Sequence, residues 1–165
     1  MTLAAGLLAG CATVEATRVA SAPTALNVVS VNVSATAETG IVGRQFARSP
    51  EEIVSDVEAA VATALLERSD AAGTPVEVDI ALGPVDLTNI AERALAQASS
   101  VTAIVSVTTV DGAAVLPSQE IVSSARGLRL PGVAGAISTP TVAQDYSNTI
   151  TGFAVTLGNA IFPEV

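Results

Sequence analysis

Glu77 and Asp79 stand two apart in an alternating segment, so on a strand both carboxylates point to one face. That pairing would suit a cation site or an acid/base pair. The same alternation also describes the solvated face of a half-buried strand, which is the simpler reading. Asp145, Tyr146 and Ser147 are consecutive on a helical pattern and therefore point in different directions. The segment Asp86 to Asn89 carries oxygen ligands, but its spacing matches no EF-hand loop. Gly127, Gly132 and Gly135 make a loop and not a phosphate cradle, because no Gly-Lys-Ser/Thr run follows them.

Composition narrows the chemistry further. The 165 residues include 0 His and 0 Trp, and all 7 basic residues are Arg. Imidazole catalysis, Schiff-base chemistry and the commonest metal ligand are thereby absent. With 1 Cys the chain has no internal disulfide and no Cys-rich zinc site. Sixteen acids against seven Arg give a net charge of -9, which repels a phosphate backbone. These observations predict no enzyme activity, no metal, no cofactor and no nucleic-acid partner. Apolar residues make up 50% of the chain and aromatics 2%, so the core has to be built from small side chains.

The cysteine has a telling position. Met1 to Gly10 is uncharged and apolar, far shorter than the roughly 20 residues needed to span a bilayer. Leu8-Ala9-Gly10-Cys11 resembles the bacterial lipobox, in which the Cys thiol receives a diacylglycerol and becomes the anchored N-terminus. The resemblance implies a signal segment over 1–10, with Leu8, Ala9 and Gly10 as its cleavage motif and Cys11 as the lipidated residue. Ala12 to Ala25 lacks a sustained apolar period, so 11–25 is expected to be a tether, with an r.m.s. reach on the order of 20 Å as a flexible coil.

Residues 26–165 read as one α+β domain. Leu26 to Ala37 alternates, with Val29, Val31 and Val33 expected on one face and Ser30, Asn32 and Ser34 on the other. Ser49-Pro50-Glu51-Glu52 opens a helix whose stripe is Ile53, Val57, Ala60, Val61, Ala64 and Leu65. Thr74 to Leu82 is a strand interrupted by Gly83-Pro84, and Val85 to Ser99 fits either a short helix or a strand continuing past a bulge. Val101 to Val110 and Ala113 to Ser123 flank Asp111-Gly112, the dipeptide of a two-residue type I′ hairpin, and Pro117 places the second strand at an edge or after a bulge. Thr139-Pro140 is expected to open a closing helix with the stripe Val142, Tyr146, Ile150, Phe153, Leu157 and Ile161. The fold expected is a mainly antiparallel sheet of about four strands with two amphipathic helices on one face.

The lipobox, the tether, Leu87-Thr88, Glu92-Arg93 and the span from Ser100-Val101-Thr102 to Asp111-Gly112 together resemble small alphaproteobacterial envelope lipoproteins of a domain-of-unknown-function family. Their domain is similar to the N-terminal type of TolB-like and curli-secretion proteins. The resemblance implies export, a periplasm-facing position in the cell envelope on the outer membrane, and an accessory role without a catalytic motif. The contact surface expected for an envelope protein partner is the Gly-rich loop, where Arg126 and Arg129 alternate with Leu128 and Leu130; a loop folded back over the core by the same leucines is the equal alternative. Two other functions stay open: a binding module for a small apolar or lipid ligand between helices and sheet, and a carboxylate-dependent hydrolase.

Overall fold

The computed structural model describes residues 17–20, 22–23, 25–95, 97–125 and 140–162. Four strands lie in the order β1 (Leu26–Gly43), β2 (Thr74–Leu87), β3 (Ser100–Thr109) and β4 (Ala114–Ser124). β1 and β2 are parallel and the other two pairings are antiparallel. Two long helices, α1 (Pro50–Leu66) and α3 (Val142–Ile161), pack on one face, and a short α2 (Ile90–Ala94) joins β2 to β3. The architecture is the α+β arrangement expected.

α1 begins where its sequence says it should. Ser49 Oγ accepts from the Glu52 amide, the Glu52 carboxylate answers the Ser49 amide at 2.8 Å, and Pro50 fills a position that needs no N–H donor. Its inward positions Ile53, Val57, Val61 and Leu65 are fully buried. α3 starts later than its Thr-Pro signal suggested: the cap is Thr141, which forms a capping box with Gln144. Its stripe Tyr146, Ile150, Phe153, Leu157 and Ile161 is buried as its spacing predicts. Against these helices β2 turns Val76, Val78, Ile80 and Leu82, and β3 turns Val101, Ala103, Val105 and Val107.

β1 departs from the simple alternation. Val28 pairs with Val76 and Ser30 with Glu77, so Val29 is an extra residue and stands 51% exposed. A one-residue bulge reverses the phase of a period-two pattern. Leu26 and Val28 therefore face the helices before it, and Val31 and Val33 after it. β1 also runs on past Ala37, through a second irregularity between Ala35 and Gly40 where Thr36 and Thr39 both donate to the Leu82 carbonyl.

Val85 to Ser99 contains both alternatives in succession. β2 continues past Gly83-Pro84 by a bulge opposite Thr102, and the chain then turns into α2, capped by Asn89. The hairpin after β3 has three loop residues, not the two of a type I′ turn. The Thr109 amide donates to the Ala113 carbonyl and the Gly112 amide to the Thr109 carbonyl, both at 2.8 Å. Gly112 has φ +86°, as a type I turn closed by a glycine bulge requires. Pro117 is at an edge and beside a bulge, since β4 is the outer strand and its register with β3 shifts between Val105 and Val107.

Ahead of β1, the described residues from Thr17 are seated on the sheet. From Thr17 the chain already lies on β4: the Thr17 amide donates to Gln119 Oε1 at 3.0 Å, Gln119 Nε2 to the Thr17 carbonyl at 3.4 Å, and the Val19 amide to the Val115 carbonyl at 3.1 Å. The Val19 amide thereby satisfies one carbonyl of an edge strand, and the Gln119 side chain holds Thr17 beside it.

Candidate functional site

Two constellations of polar side chains form where α3 meets the rest of the domain. The first is buried. β1 ends at Gly43, whose φ of +83° and close approach to the Leu87 carbonyl leave no room for a Cβ, and the turn brings Arg44 under the first turn of α3. Arg44 Nη1 lies 3.9 Å from Asp145 Oδ2 and donates to the Pro140 carbonyl at 3.3 Å. Ser99, just before β3, donates its hydroxyl to Asp145 Oδ2 at 2.8 Å and receives the Thr88 amide at 3.0 Å. Thr149 Oγ1 donates to the Asp145 carbonyl one turn earlier in α3 at 2.7 Å. Asp145, Ser99, Thr88 and Thr149 are all buried. A serine hydroxyl on a carboxylate suggests a nucleophile, but this one is sealed from solvent and its oxygen also accepts the Thr88 amide. The arrangement ties the ends of β1 and β2 and the start of β3 to the N-terminus of α3.

The second constellation lines a groove of about 470 Å³ between α1 and α3. Tyr146 is nearly buried and donates its hydroxyl to Asp56 Oδ2 of α1 at 2.9 Å. Burial, then the Asp56 hydrogen bond and charge, push its phenol well above the usual tyrosine range. Phe46 tilts against it with ring centroids 5.3 Å apart, and the Arg48 guanidinium lies over both rings, 5.5 Å from Phe46 and 5.9 Å from Tyr146. The walls are small: Ala59 and Thr63 on α1, Ala143 and Ser147 on α3. This groove runs between the helices, whereas the apolar cleft expected from sequence was between helices and sheet. Phe153 and Leu157 are fully buried in that layer.

The other expected residues are distributed as follows. Leu8, Ala9, Gly10 and Cys11, and the loop residues Arg126, Leu128, Arg129 and Leu130, lie outside the described residues. Glu77 and Asp79 are exposed on the face of the sheet opposite the helices, where Asp79 accepts from Asn32 Nδ2 at 3.1 Å. Asn89, considered as an oxygen ligand, is the cap of α2, while burial and the neighbouring Glu92 raise the Asp86 carboxyl above its ordinary range. Among the described residues no group of His, Cys, Asp and Glu is placed to hold a metal ion. No described helix is long and apolar enough to cross a membrane.

Sequence reasoning missed Arg44, Thr88, Ser99 and Thr149 as a group. The available signal was on α3: Asp145, Thr149 and Thr156, with Gly152 between the threonines, recur at steps of four and three beside the apolar stripe, a seam of polar and small residues in phase with it.

No family model and no curated protein matches the chain. Among solved structures it is similar to protein XCC0632 from Xanthomonas campestris, described as a member of the family DUF330, at 12% identity and a TM-score of 0.49. The match covers 86% of this chain and 87% of that one.

Proposed function

We propose that this protein is a lipid-anchored lipoprotein of the cell envelope, held through acyl chains on Cys11 and facing the periplasm from the outer membrane. In that position it acts as a non-enzymatic structural or protein-interaction module. The observation that carries this reading is Leu8-Ala9-Gly10-Cys11 at the end of an apolar run. Several acyl chains, each contributing about 0.8 kcal/mol per buried methylene, give stable anchoring. An accessory role is supported by three carboxylates engaged in holding neighbouring side chains: Asp145 holds Ser99, Asp56 holds Tyr146, and Asp79 holds Asn32.

The partner contact on this reading is the segment with Arg126, Leu128, Arg129 and Leu130, between the end of β4 and the capped start of α3. Expressed with a complete signal, the protein should enter the detergent phase and Cys11→Ser should not. An unmodified Met1 in the mature mass spectrum would defeat the reading. Reversing the charge of Arg126 and Arg129 together should weaken capture of an envelope partner at unchanged stability.

The groove between α1 and α3 favours a second reading, a binding module for a small apolar or lipid ligand, since aromatic rings and alanines meet there. Lipid that stays with the unacylated domain through purification, and is lost when Ala59→Trp fills the groove, would favour it.

A further inference from the structure

The way the chain enters the domain has an orientational consequence. Between Cys11 and Thr17 there are six Cα to Cα steps, which span at most about 20 Å when fully extended. Thr17 is fastened to Gln119 and Val19 to Val115, both on the outer side of β4. Resting on the reading that Cys11 is acylated, we propose that the free edge of β4, with Thr17 to Val19 laid along it, is the surface of this domain that faces the lipid headgroups. The sheet then stands edge-on to the bilayer with β1 uppermost.

Charge supports the same disposition. The helical face exposes Glu51, Glu52, Glu58 and Glu67, and the open face of the sheet exposes Glu77, Asp79 and Glu120. Both broad faces are therefore repelled by an anionic bilayer within about a Debye length, roughly 8–10 Å. Arg48 and Arg68 offset this only in part, since Arg48 pairs with Glu52 at 3.3 Å and two basic groups stand against four exposed acids on that face, while Arg44 turns inward to Asp145. The β4 edge differs. It presents Pro117, Ser118 and Gln119, without charge, and in the adjoining segment Glu15 and Arg18 balance each other, the Arg18 guanidinium donating to the Pro23 carbonyl at 2.8 Å. A short leash ending on the least acidic side leaves the domain little freedom to lie flat.

The test uses the full acylated protein on vesicles of phosphatidylethanolamine and anionic phosphatidylglycerol. Its own cysteine is blocked by the lipid, so a fluorophore can be placed on Ser118→Cys in β4 or on Ala35→Cys in β1, with an acceptor on the lipid headgroups. Three strand spacings separate the two positions, so energy transfer should place Ser118 nearer the surface by up to about 14 Å. A Gly-Ser spacer doubling the leash between Ala12 and Thr17 should remove most of that difference. Equal heights, or Ala35 nearer than Ser118, would each overturn the orientation while the protein still floats with the vesicles. If the protein fails to float, and behaves like its Cys11→Ser variant, the anchoring itself falls and the orientation with it.

Discussion

α3 is one continuous helix whose two halves are held by different physics. Its first half buries polar side chains, each engaged: Asp145 with Ser99 and Arg44, Thr149 with the Asp145 carbonyl, Tyr146 with Asp56. Its second half buries Phe153, Ala154, Leu157 and Ile161 against the sheet, with Gly158 near the Arg68 guanidinium. Apolar burial is non-directional and grows with area, so the second half supplies most of the attachment. Hydrogen bonds contribute less net free energy but fail steeply when misaligned, so the first half sets the rotation and height at which the helix docks.

The sharpest way to break the contrast is Phe153→Ala. A fully buried phenylalanine removed from a core costs about 3–5 kcal/mol, which would lower the melting temperature by roughly 10 °C. Asp145→Ala should cost less, about 2–3 kcal/mol, because it strands the Ser99 hydroxyl without its acceptor and removes the carboxylate facing the Arg44 guanidinium. Asp145→Asn should recover about half of that loss by restoring an acceptor oxygen. Denaturant titration of the three variants measures all of this, and equal costs for Asp145→Asn and Asp145→Ala would show that volume, not hydrogen bonding, matters there.

Tyr146→Phe comes next, at about 0.5–1.5 kcal/mol, and carries a pH signature. In the fold, burial and Asp56 hold the phenol protonated above its ordinary value of 10.0, whereas in the unfolded chain it ionises near that value. Its stabilising contribution is therefore whole below pH 10 and lost as the pH rises beyond it. The chain has a single tyrosine and no lysine, so alkaline absorbance titration reports this group directly. Phe at 146 should abolish the alkaline slope of stability. Asn148 is exposed on the outer side of the same helix, and Asn148→Ala should change stability by less than about 0.5 kcal/mol. A cost comparable to that of Phe153→Ala would mean the helix is rotated from the docking described.

Much of the fold was legible because local patterns carried their own cause. Ser49-Pro50 with Glu52 marks the start of α1 within the chain, and the alternation of Val76, Val78, Ile80 and Leu82 assigns the inner face of β2 whatever lies next to it. The candidate site was less legible, since Arg44, Thr88, Ser99 and Asp145 come from four separate segments and none stands out in its own neighbourhood. The seating of Thr17 to Val19 on β4 was not legible for a related reason: it depends on Val115 and Gln119, about a hundred residues away in the chain.

By itself the sequence determined which groups the chain has to work with: no histidine or lysine, one cysteine in a lipobox-like run, and strongly acidic faces built on a core of small apolar residues. It also determined the capped helix, the inward stripe of α3 and the alternating strands, because capping and periodicity act over a few residues. Tertiary structure decided the rest. The bulge at Val29 changes which valines are buried, and only pairing with β2 reveals where the extra residue falls. Asp145 is buried and Asp56 lies on a groove although both are helical aspartates, and nothing local distinguishes them. The difference is made by what the packing of α3 brings opposite each carboxylate, a serine hydroxyl under the helix for one and a tyrosine on the neighbouring helix for the other.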